Sequence, residues 1–285
     1  MNKPRLPALS LIGALLLVTA TTAHAQEQAA TISYGTERLQ NLDFWPAARK
    51  GPAPLVLFVH GGGWKRGSKD NATGRYKAAH YTAEGYAFAS VDYRLVPEAT
   101  VEQQAQDVAD ALAALLKRAD SLGIARGKVV LMGHSAGAHL VALLGTDPQY
   151  LRKAGLSYAD IRGVIPLDGA AYDVPGQMQE GPRVMGGTYR QAFGDDPARQ
   201  RALSPTLQAA APNAPAFLLL HVQRADGVRQ AEALEAALRK AGTPVERQSV
   251  PGQGLRGHMQ INRELGSPDY AATGVVDRWL AKVFA

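Results

Sequence analysis

The sequence predicts an α/β fold in which a mostly parallel central sheet carries helices on both faces. Two kinds of segment support this prediction. Short, continuous apolar runs, such as residues 55–59 and 129–132, are typical of parallel strands that are covered on both sides. Segments with apolar residues at helical spacing, such as Val101–Lys117, separate these runs. Because strands and helices alternate along the chain, right-handed crossovers and a parallel sheet are expected.

The first 25 residues have the composition of a secretory signal peptide. Lys3 and Arg5 precede a short apolar run at residues 11–18, and the small residues of Ala23-His24-Ala25 suit a signal peptidase. The apolar run is too short to span a bilayer. We therefore expect residues 1–25 to be removed, and residues 26–285 to form a single secreted or periplasmic domain without membrane attachment.

The composition narrows the class of function. The chain has 285 residues, of which 46% are hydrophobic, which is enough for one large core. Its formal net charge of +6 would fall by two on loss of Lys3 and Arg5, and the basic residues are scattered, so nucleic acid is not an expected partner. The sequence contains no cysteine, which excludes disulfides and thiolate chemistry. It does not indicate an oligomeric state.

The remaining elements can be predicted in chain order. Residues 31–34 and 39–44 alternate between apolar and polar side chains and indicate edge strands. Residues 169–204 are rich in Gly, Pro, Gln and Arg without sustained periodicity, and we expect this insert to shape a pocket or form a lid. The other predicted elements are strands at 86–95, 163–168, 216–221 and 245–250, and helices at 228–240 and 268–284.

A Gly-x-Ser-x-Gly motif at residues 133–137 lies between the apolar run 129–132 and a helix-forming segment. The two glycines allow a sharp turn that holds Ser135 in a strained conformation, with its hydroxyl clear of the sheet. The helix that follows directs the N–H of Ala136 at the same place, where it would stabilise negative charge on a bound carbonyl. The motif therefore predicts a nucleophilic serine.

Three consecutive glycines follow the buried strand 55–59, in the stretch His60-Gly61-Gly62-Gly63-Trp64. Such a loop lets the backbone approach a ligand with its N–H groups turned inward. We expect Gly62 and Gly63 to form an oxyanion hole opposite Ala136, and His60 to brace the loop by hydrogen bonding rather than to titrate. A glycine-rich surface turn is the alternative, which the downstream Ser135 motif disfavours.

A nucleophilic serine needs a base and an acid. His258 follows the last predicted strand, in a glycine-flanked loop at residues 251–258, and is the predicted base. Asp226, which follows the strand at 216–221, is predicted to orient and stabilise its imidazole. Asp168 is the rival for this role, because it also closes an apolar strand.

Cofactor and metal sites are not expected. Gly252-x-Gly254-x-x-Gly257 matches the spacing of a dinucleotide-binding loop, but too few residues follow it to form the further parallel strand that such a unit needs. The sequence also lacks a His-Glu-x-x-His motif and cysteine ligands.

With these motifs, the chain resembles the esterase and lipase branch of the α/β-hydrolases that carries an HGGG-type oxyanion loop, over nearly all of residues 26–285. The stretches 60–64 and 133–140 are most similar to small carboxylesterases and kynurenine formamidase-like enzymes. Two features depart from relatives. His134 stands where hormone-sensitive-lipase-like members have Asp, and Val222 follows His221 where many relatives have Gly, which places Asp226 five positions after His221 rather than four.

The motifs and the resemblance together predict a serine hydrolase that cleaves small acyl esters through an acyl-enzyme on Ser135. The insert at 169–204 has few consecutive large apolar residues, so short acyl chains are expected to be the best substrates. An amidase or formamidase with the same triad is one alternative, since both reactions pass through the same kind of oxyanion. A non-catalytic binding member of the fold is another, which the complete set of predicted catalytic groups disfavours.

Overall fold

The computed structural model describes residue 1 and residues 29–70, 73–180 and 185–285. Apart from Met1, the predicted signal peptide at residues 1–25 lies outside the described residues. The strands in chain order are β1 (Ala30–Ser33), β2 (Asn41–Trp45), β3 (Ala53–Val59), β4 (Ala87–Val91), β5 (Ile124–His134), β6 (Gly163–Leu167), β7 (Phe217–Gln223) and β8 (Val245–Gln253).

In the described part of the chain, eight strands form one sheet in the order β1-β2-β4-β3-β5-β6-β7-β8. The pairs from β4 to β8 are all parallel, whereas β1 pairs with β2, and β2 with β4, in antiparallel fashion. The prediction of a mostly parallel α/β sheet is thus confirmed. The prediction that residues 39–44 form an edge strand is wrong, because β2 lies between β1 and β4.

Helices connect and cover the strands. They are α1 (Lys77–Ala83), α2 (Val101–Lys117), α3 (Ala119–Leu122), α4 (Ala136–Thr146), α5 (Gln149–Lys153), α6 (Val174–Glu180), α7 (Gly186–Phe193), α8 (Pro197–Ala202), α9 (Pro205–Gln208), α10 (Ala225–Lys240), α11 (Gly254–Glu264) and α12 (Ala271–Phe284). A 3-10 turn covers Tyr158–Asp160. Among the described residues, no helix is long and apolar enough to cross a bilayer.

Alternate side chains of β3 enter two separate cores. Leu57 packs in one core with residues of α2 and α4, and Phe58 packs in the other with residues of α1, α11 and α12. All seven residues of β3 are buried, as expected for a strand with both faces covered. The two cores confirm the prediction of helices on both faces.

Helix α2 has the bounds that the sequence predicts. Its start is fixed by a capping box, in which Thr100 Oγ1 accepts from the Gln103 backbone N–H (3.3 Å) and Gln103 Oε1 accepts from the Thr100 N–H (2.9 Å). The buried residues Val108, Leu112 and Leu115 belong to the same core as Leu57 of β3. Local capping and periodicity agree here, which explains the accurate prediction.

The chain after β8 is more helical than predicted. The predicted loop at 251–258 is divided between the end of β8 and the start of α11, so His258 lies on a helix rather than in a loop. The reversal between the two elements is tight, because Gly252 and Gly254 have φ angles of 136° and 52°. The insert at 169–204 contains α6, α7 and α8, which its irregular composition does not predict.

Candidate active site

Three neighbouring strands bring the predicted catalytic segments to one edge of the sheet. Val59 at the end of β3 pairs with Gly133 of β5, and His134 of β5 pairs with Leu167 of β6. Because these strands are parallel, their carboxyl ends lie side by side. The glycine loop after β3, the serine turn after β5 and Asp168 after β6 therefore meet.

The turn at Ser135 has the strained geometry that the motif predicts. Ser135 has φ 56° and ψ −117°, which a non-glycine residue rarely adopts. A Cβ added to Gly133 would lie 2.2 Å from the Gly137 carbonyl oxygen, and one added to Gly137 would lie 2.1 Å from the Val59 oxygen. Both positions must therefore be glycine for helix α4 to pack this closely behind the serine.

His258 links Ser135 to Asp168. Its Nε2 lies 3.1 Å from Ser135 Oγ, and its Nδ1 lies 2.6 Å from Asp168 Oδ2. Because a carboxylate can only accept, Nδ1 carries the proton and Nε2 is free to accept from the serine hydroxyl. The three side chains have the geometry of a nucleophile, a general base and an orienting acid.

The prediction that Asp226 orients His258 is wrong. Asp226 lies in the first turn of α10 and forms an ion pair with Arg224. Arg224 holds the Asp226 carboxylate in an ion pair, whereas Asp168 follows β6, the strand that lies directly beside β5 and Ser135. Asp168, the rival in the sequence, therefore reaches the imidazole.

The Asp168 carboxylate is completely buried and is satisfied by several donors. Oδ1 accepts from the Val222 N–H (3.0 Å), and Oδ2 accepts from His258 and from Arg224 Nε (3.1 Å). Burial alone would raise the pKa of the Asp168 carboxyl, but the His258 hydrogen bond, the Arg224 charge and the Val222 N–H hold it below its ordinary value. Asp168 therefore stays ionised. Its φ of 42° is the kind of backbone strain that recurs at functional sites.

The glycine loop after β3 packs directly against the serine turn. A Cβ on Gly61 would lie 2.9 Å from Ser135 Cβ, and one on Gly62 would lie 1.9 Å from the Arg66 carbonyl oxygen. Gly62 and Gly63 have φ angles of 129° and 62°. Ala136 is the first residue of α4, where backbone N–H groups have no partner within the helix. The assignment of Gly62, Gly63 and Ala136 as oxyanion donors stays a prediction that this arrangement supports.

His60 braces the glycine loop. It is 1% exposed, and its Nδ1–H donates to the Gly61 carbonyl (2.7 Å). Its ring stacks on Tyr93 at 4.3 Å, and the Tyr93 hydroxyl donates to the His60 carbonyl (2.8 Å). Burial lowers the pKa of His60 to about 4, so the imidazole is neutral. This geometry agrees with the predicted structural role.

Helix α7 of the insert covers the far side of the glycine loop. The Thr188 methyl group would be 3.0 Å from a Cβ on Gly63, and Phe193 packs edge-on against Trp64 at 4.8 Å. Trp64 Nε1–H in turn donates to Nδ1 of His139 on α4 (3.4 Å). Sequence reasoning missed this contact, although the aromatic residues spaced through the insert were a signal of a buried face.

His134 contacts His258 through a hydrogen bond and through its ring. Its Nε2–H donates to the His258 carbonyl (2.8 Å), and the two rings lie 4.5 Å apart. Burial first, and then the neighbouring His258, lower the pKa of His134 well below its ordinary value. His134 is therefore a neutral donor that fixes the backbone of His258, the predicted base, a role that the sequence did not reveal.

The sequence of the chain is similar to known esterases. The BD-FAE family model matches residues 42–165. Esterase LipC of Mycobacterium tuberculosis is 36% identical over 126 residues, covering 42% of this chain and 30% of that protein. Kynurenine formamidase of Danio rerio is 29% identical over 118 residues, covering 41% and 38%. The alignments thus span well under half of the length of these relatives.

The fold is shared more widely. The crystal structure of esterase B from Lactobacillus rhamnosis (HN001) superposes with a TM-score of 0.75 at 22% identity, covering 91% of this chain and 87% of that one. Together with the strand order, this shows that the chain has the α/β-hydrolase fold. The matched family model and esterase relatives, with the HGGG and Gly-x-Ser-x-Gly segments, support the resemblance to the branch with an HGGG-type oxyanion loop. The family resemblance predicted from the sequence is confirmed.

Proposed function

We propose that the protein is a serine hydrolase that cleaves short-chain carboxylic esters through an acyl-enzyme on Ser135. The observation that carries this proposal is the chain of contacts from Ser135 Oγ through His258 to the buried Asp168 carboxylate, at 3.1 Å and 2.6 Å. The glycine loop beside Ser135 supplies the neighbouring backbone for an oxyanion hole. Similarity to named esterases supports the same class of reaction.

Each catalytic group has a defined task in this reaction. His258 Nε2 takes the hydroxyl proton as Ser135 Oγ bonds to the ester carbonyl carbon, and the carbonyl electron pair moves onto oxygen as an oxyanion. The N–H groups of the glycine loop and Ala136 stabilise that charge. The carbon–oxygen bond to the alcohol then breaks, and His258 returns its proton to the leaving oxygen.

Hydrolysis of the acyl-enzyme repeats the same steps with water. His258 Nε2 takes a proton from a water molecule as the water oxygen bonds to the acyl carbon, and the bond from the acyl carbon to Ser135 Oγ then breaks. The imidazolium then reprotonates Ser135 Oγ, and a carboxylic acid leaves. Asp168 stays ionised and stabilises the imidazolium in both halves of the reaction.

The covering of the site supports a short acyl chain. Helix α7 closes one side of the glycine loop through Thr188 and the aromatic contact of Phe193 with Trp64. In the described part of the insert at 169–204, no large hydrophobic side chain is exposed, so the broad apolar surface needed for a lipid interface is lacking there. Each methylene group that a substrate buries contributes about 0.8 kcal/mol of favourable binding free energy. The kcat/KM of a lipase therefore rises as the acyl chain lengthens, whereas a small pocket excludes long chains.

Covalent labelling and a substrate series test this function. A fluorophosphonate probe should label the wild-type protein and fail to label Ser135→Ala, and kcat/KM for p-nitrophenyl esters should peak between acetate and butyrate. Labelling that persists in Ser135→Ala would refute the nucleophile. A maximum at octanoate or longer would refute the short-chain specificity alone. Faster turnover of N-formyl anilides than of matched esters would identify a formamidase.

We also propose that residues 1–25 are a secretory leader, so that the enzyme acts in the periplasm or outside the cell. The apolar run at residues 11–18 and the small residues of Ala23-His24-Ala25 support this proposal. The mass of the protein recovered from the non-cytoplasmic fraction should correspond to a chain that starts at Gln26. An intact Met1 in that fraction, or exclusive recovery from the cytoplasm, would contradict it.

A further inference from the structure

An arginine contacts the acid of the candidate triad directly. Arg224, between β7 and α10, donates from Nε to Asp168 Oδ2 (3.1 Å), the same oxygen that accepts from His258. Its Nη2 donates to the carbonyls of Asp168 (3.3 Å) and Gly169 (2.9 Å). Arg224 therefore holds both the side chain and the backbone of the turn in which Asp168 lies.

A second carboxylate holds this arginine. Asp226 Oδ2 accepts from Arg224 Nη1, and the side chains of Arg224 and Asp226 are only 17% and 10% exposed. With Nε, Nη1 and Nη2 all engaged within the protein, Arg224 has little capacity left to bind an anionic substrate. The observed contacts thus favour a structural and electrostatic role within the triad.

We propose that Arg224 and Asp226 form a positioning pair, which fixes the Asp168 carboxylate for His258 and sets the charge balance around the catalytic imidazole. Arg224 supplies orientation through its rigid fork of donors, and Asp226 offsets its positive charge. Neither residue contacts the reacting atoms. This inference rests on the proposed function, because it assigns the pair a task in the same reaction.

If Arg224 and Asp226 set the charge around His258, removing either charge should shift the pH profile of the enzyme. A purely structural role for the two residues does not predict such a shift. Protonation of the free His258 inactivates the enzyme and sets the acidic limb of the kcat/KM profile against pH. Loss of the Arg224 charge makes an imidazolium at His258 less unfavourable, which moves this limb to higher pH. Loss of the Asp226 charge leaves Arg224 uncompensated and moves the limb to lower pH.

Other charged or titratable groups near this site stay the same in every variant. The ring of His134 on β5 lies against the His258 ring. Burial and His258 lower the pKa of His134, and the charge of Lys77 on α1 lowers it further. Burial raises the pKa of Tyr172, Tyr270 and Tyr189; the Asp168 charge adds to this at the first two, and the Asp226 charge at Tyr189 on α7, where the Arg224 charge opposes it. The difference between variants therefore reports Arg224 and Asp226.

The test is the pH profile of kcat/KM for p-nitrophenyl acetate in the wild-type protein and three variants. Arg224→Gln should lower kcat/KM about 10²-fold and move the acidic limb up by about one pH unit. Asp226→Asn should cost about tenfold or less and move the limb down. Arg224→Lys should keep the position of the limb but not restore kcat, because Lys retains the charge without the fork.

Arg239→Gln is the matched control. It removes one arginine from an ion pair, with Glu235, on the same helix as Asp226. Position 239 is thirteen residues from 226, or about 20 Å along a helix, which exceeds the Debye length of about 8 Å. The acidic limb of the kcat/KM profile of Arg239→Gln should coincide with that of the wild type.

The outcomes separate this inference from the proposed function. If wild-type protein neither turns over the ester nor takes a phosphonate label, the proposed function fails. If it is active but the limbs of Arg224→Gln and Asp226→Asn coincide with that of Arg239→Gln, or move in the same direction, the positioning pair is refuted. Circular dichroism and the melting temperature of each variant show whether it is folded.

Discussion

The Asp168 carboxylate lies 2.6 Å from His258 Nδ1, although the two residues are 90 positions apart in the sequence. Asp168 directly follows β6, and His258 lies on α11, which follows β8. The contact exists because a sharp turn at Asp168, with φ 42°, keeps its side chain at the edge of the sheet beside Ser135. The position of the acid therefore follows from strand order and local strain together.

The first prediction separates the two candidate acids. Asp168→Asn should lower kcat by about 10⁴-fold, because an amide at this place cannot hold the correct imidazole tautomer or stabilise the imidazolium. Asp226→Asn should remain at least a hundredfold more active than Asp168→Asn. Steady-state kinetics on p-nitrophenyl acetate measures both. Near-full activity in Asp168→Asn would contradict the acid that the structure places beside His258.

The elements predicted best from the sequence are those with strong local signals. The capping box of α2 and the continuous apolar run of β3 are encoded in neighbouring residues. The choice between Asp168 and Asp226 is different, because both follow an apolar strand and both are aspartates. It depends on which carboxylate contacts His258 and which one pairs with Arg224 in the folded chain, long-range contacts that a single sequence does not contain.

The helical start of α11 was missed for a related reason. Glycines at 252, 254 and 257 indicate a loop by local rules, but Gly257 permits close packing of the helix on the preceding turn. A Cβ at Gly257 would lie 2.5 Å from the Gly252 carbonyl carbon. The same glycine pattern thus serves a tight strand-to-helix reversal, and His258 gains a rigid support.

The second prediction concerns the oxyanion loop. Gly61→Ala should displace the loop, because the added Cβ would lie 2.8 Å from the His134 carbonyl oxygen and 2.9 Å from Ser135 Cβ. We expect kcat to fall by about 10²–10³-fold, the cost of one lost oxyanion donor. Gly187→Ala is the control on α7, since its added Cβ meets nothing within 4 Å. Equal activities in the two variants would show that the loop tolerates displacement.

The third prediction concerns the support of α11. Lys77 on α1 is fully buried, and its Nζ donates to Asn262 Oδ1 (2.9 Å) and to the carbonyls of Asn262 and Thr73 (2.7 Å to Thr73). Lys77→Met keeps much of the volume but removes the three hydrogen bonds that Nζ donates. This should lower the free energy of unfolding by about 1–3 kcal/mol. Urea unfolding measures it, and the exposed Lys153→Met should show no comparable loss.

The last prediction is a pH dependence of stability at the contact between α1 and α12. His80 Nε2 lies 2.8 Å from Asp277 Oδ1, and this hydrogen bond raises the pKa of His80 above its ordinary value of 6.5. A histidine with a raised pKa in the folded state stabilises the protein fully below pH 6.5, and the contribution is lost as the pH rises through the folded-state value.

Asp277→Asn removes the acceptor charge and should therefore be less stable than the wild type by about 1 kcal/mol at pH 5.5. The difference should shrink as the pH rises through the folded-state pKa of His80, which the Asp277 hydrogen bond raises above 6.5. Melting temperatures at several pH values measure it, with the exposed Asp269→Asn as a control that lies away from His80 in the sequence and removes one surface carboxylate. A gap that stays constant from pH 5.5 to 8.5, as expected for the control, would show that His80 does not carry the charge that Asp277 stabilises.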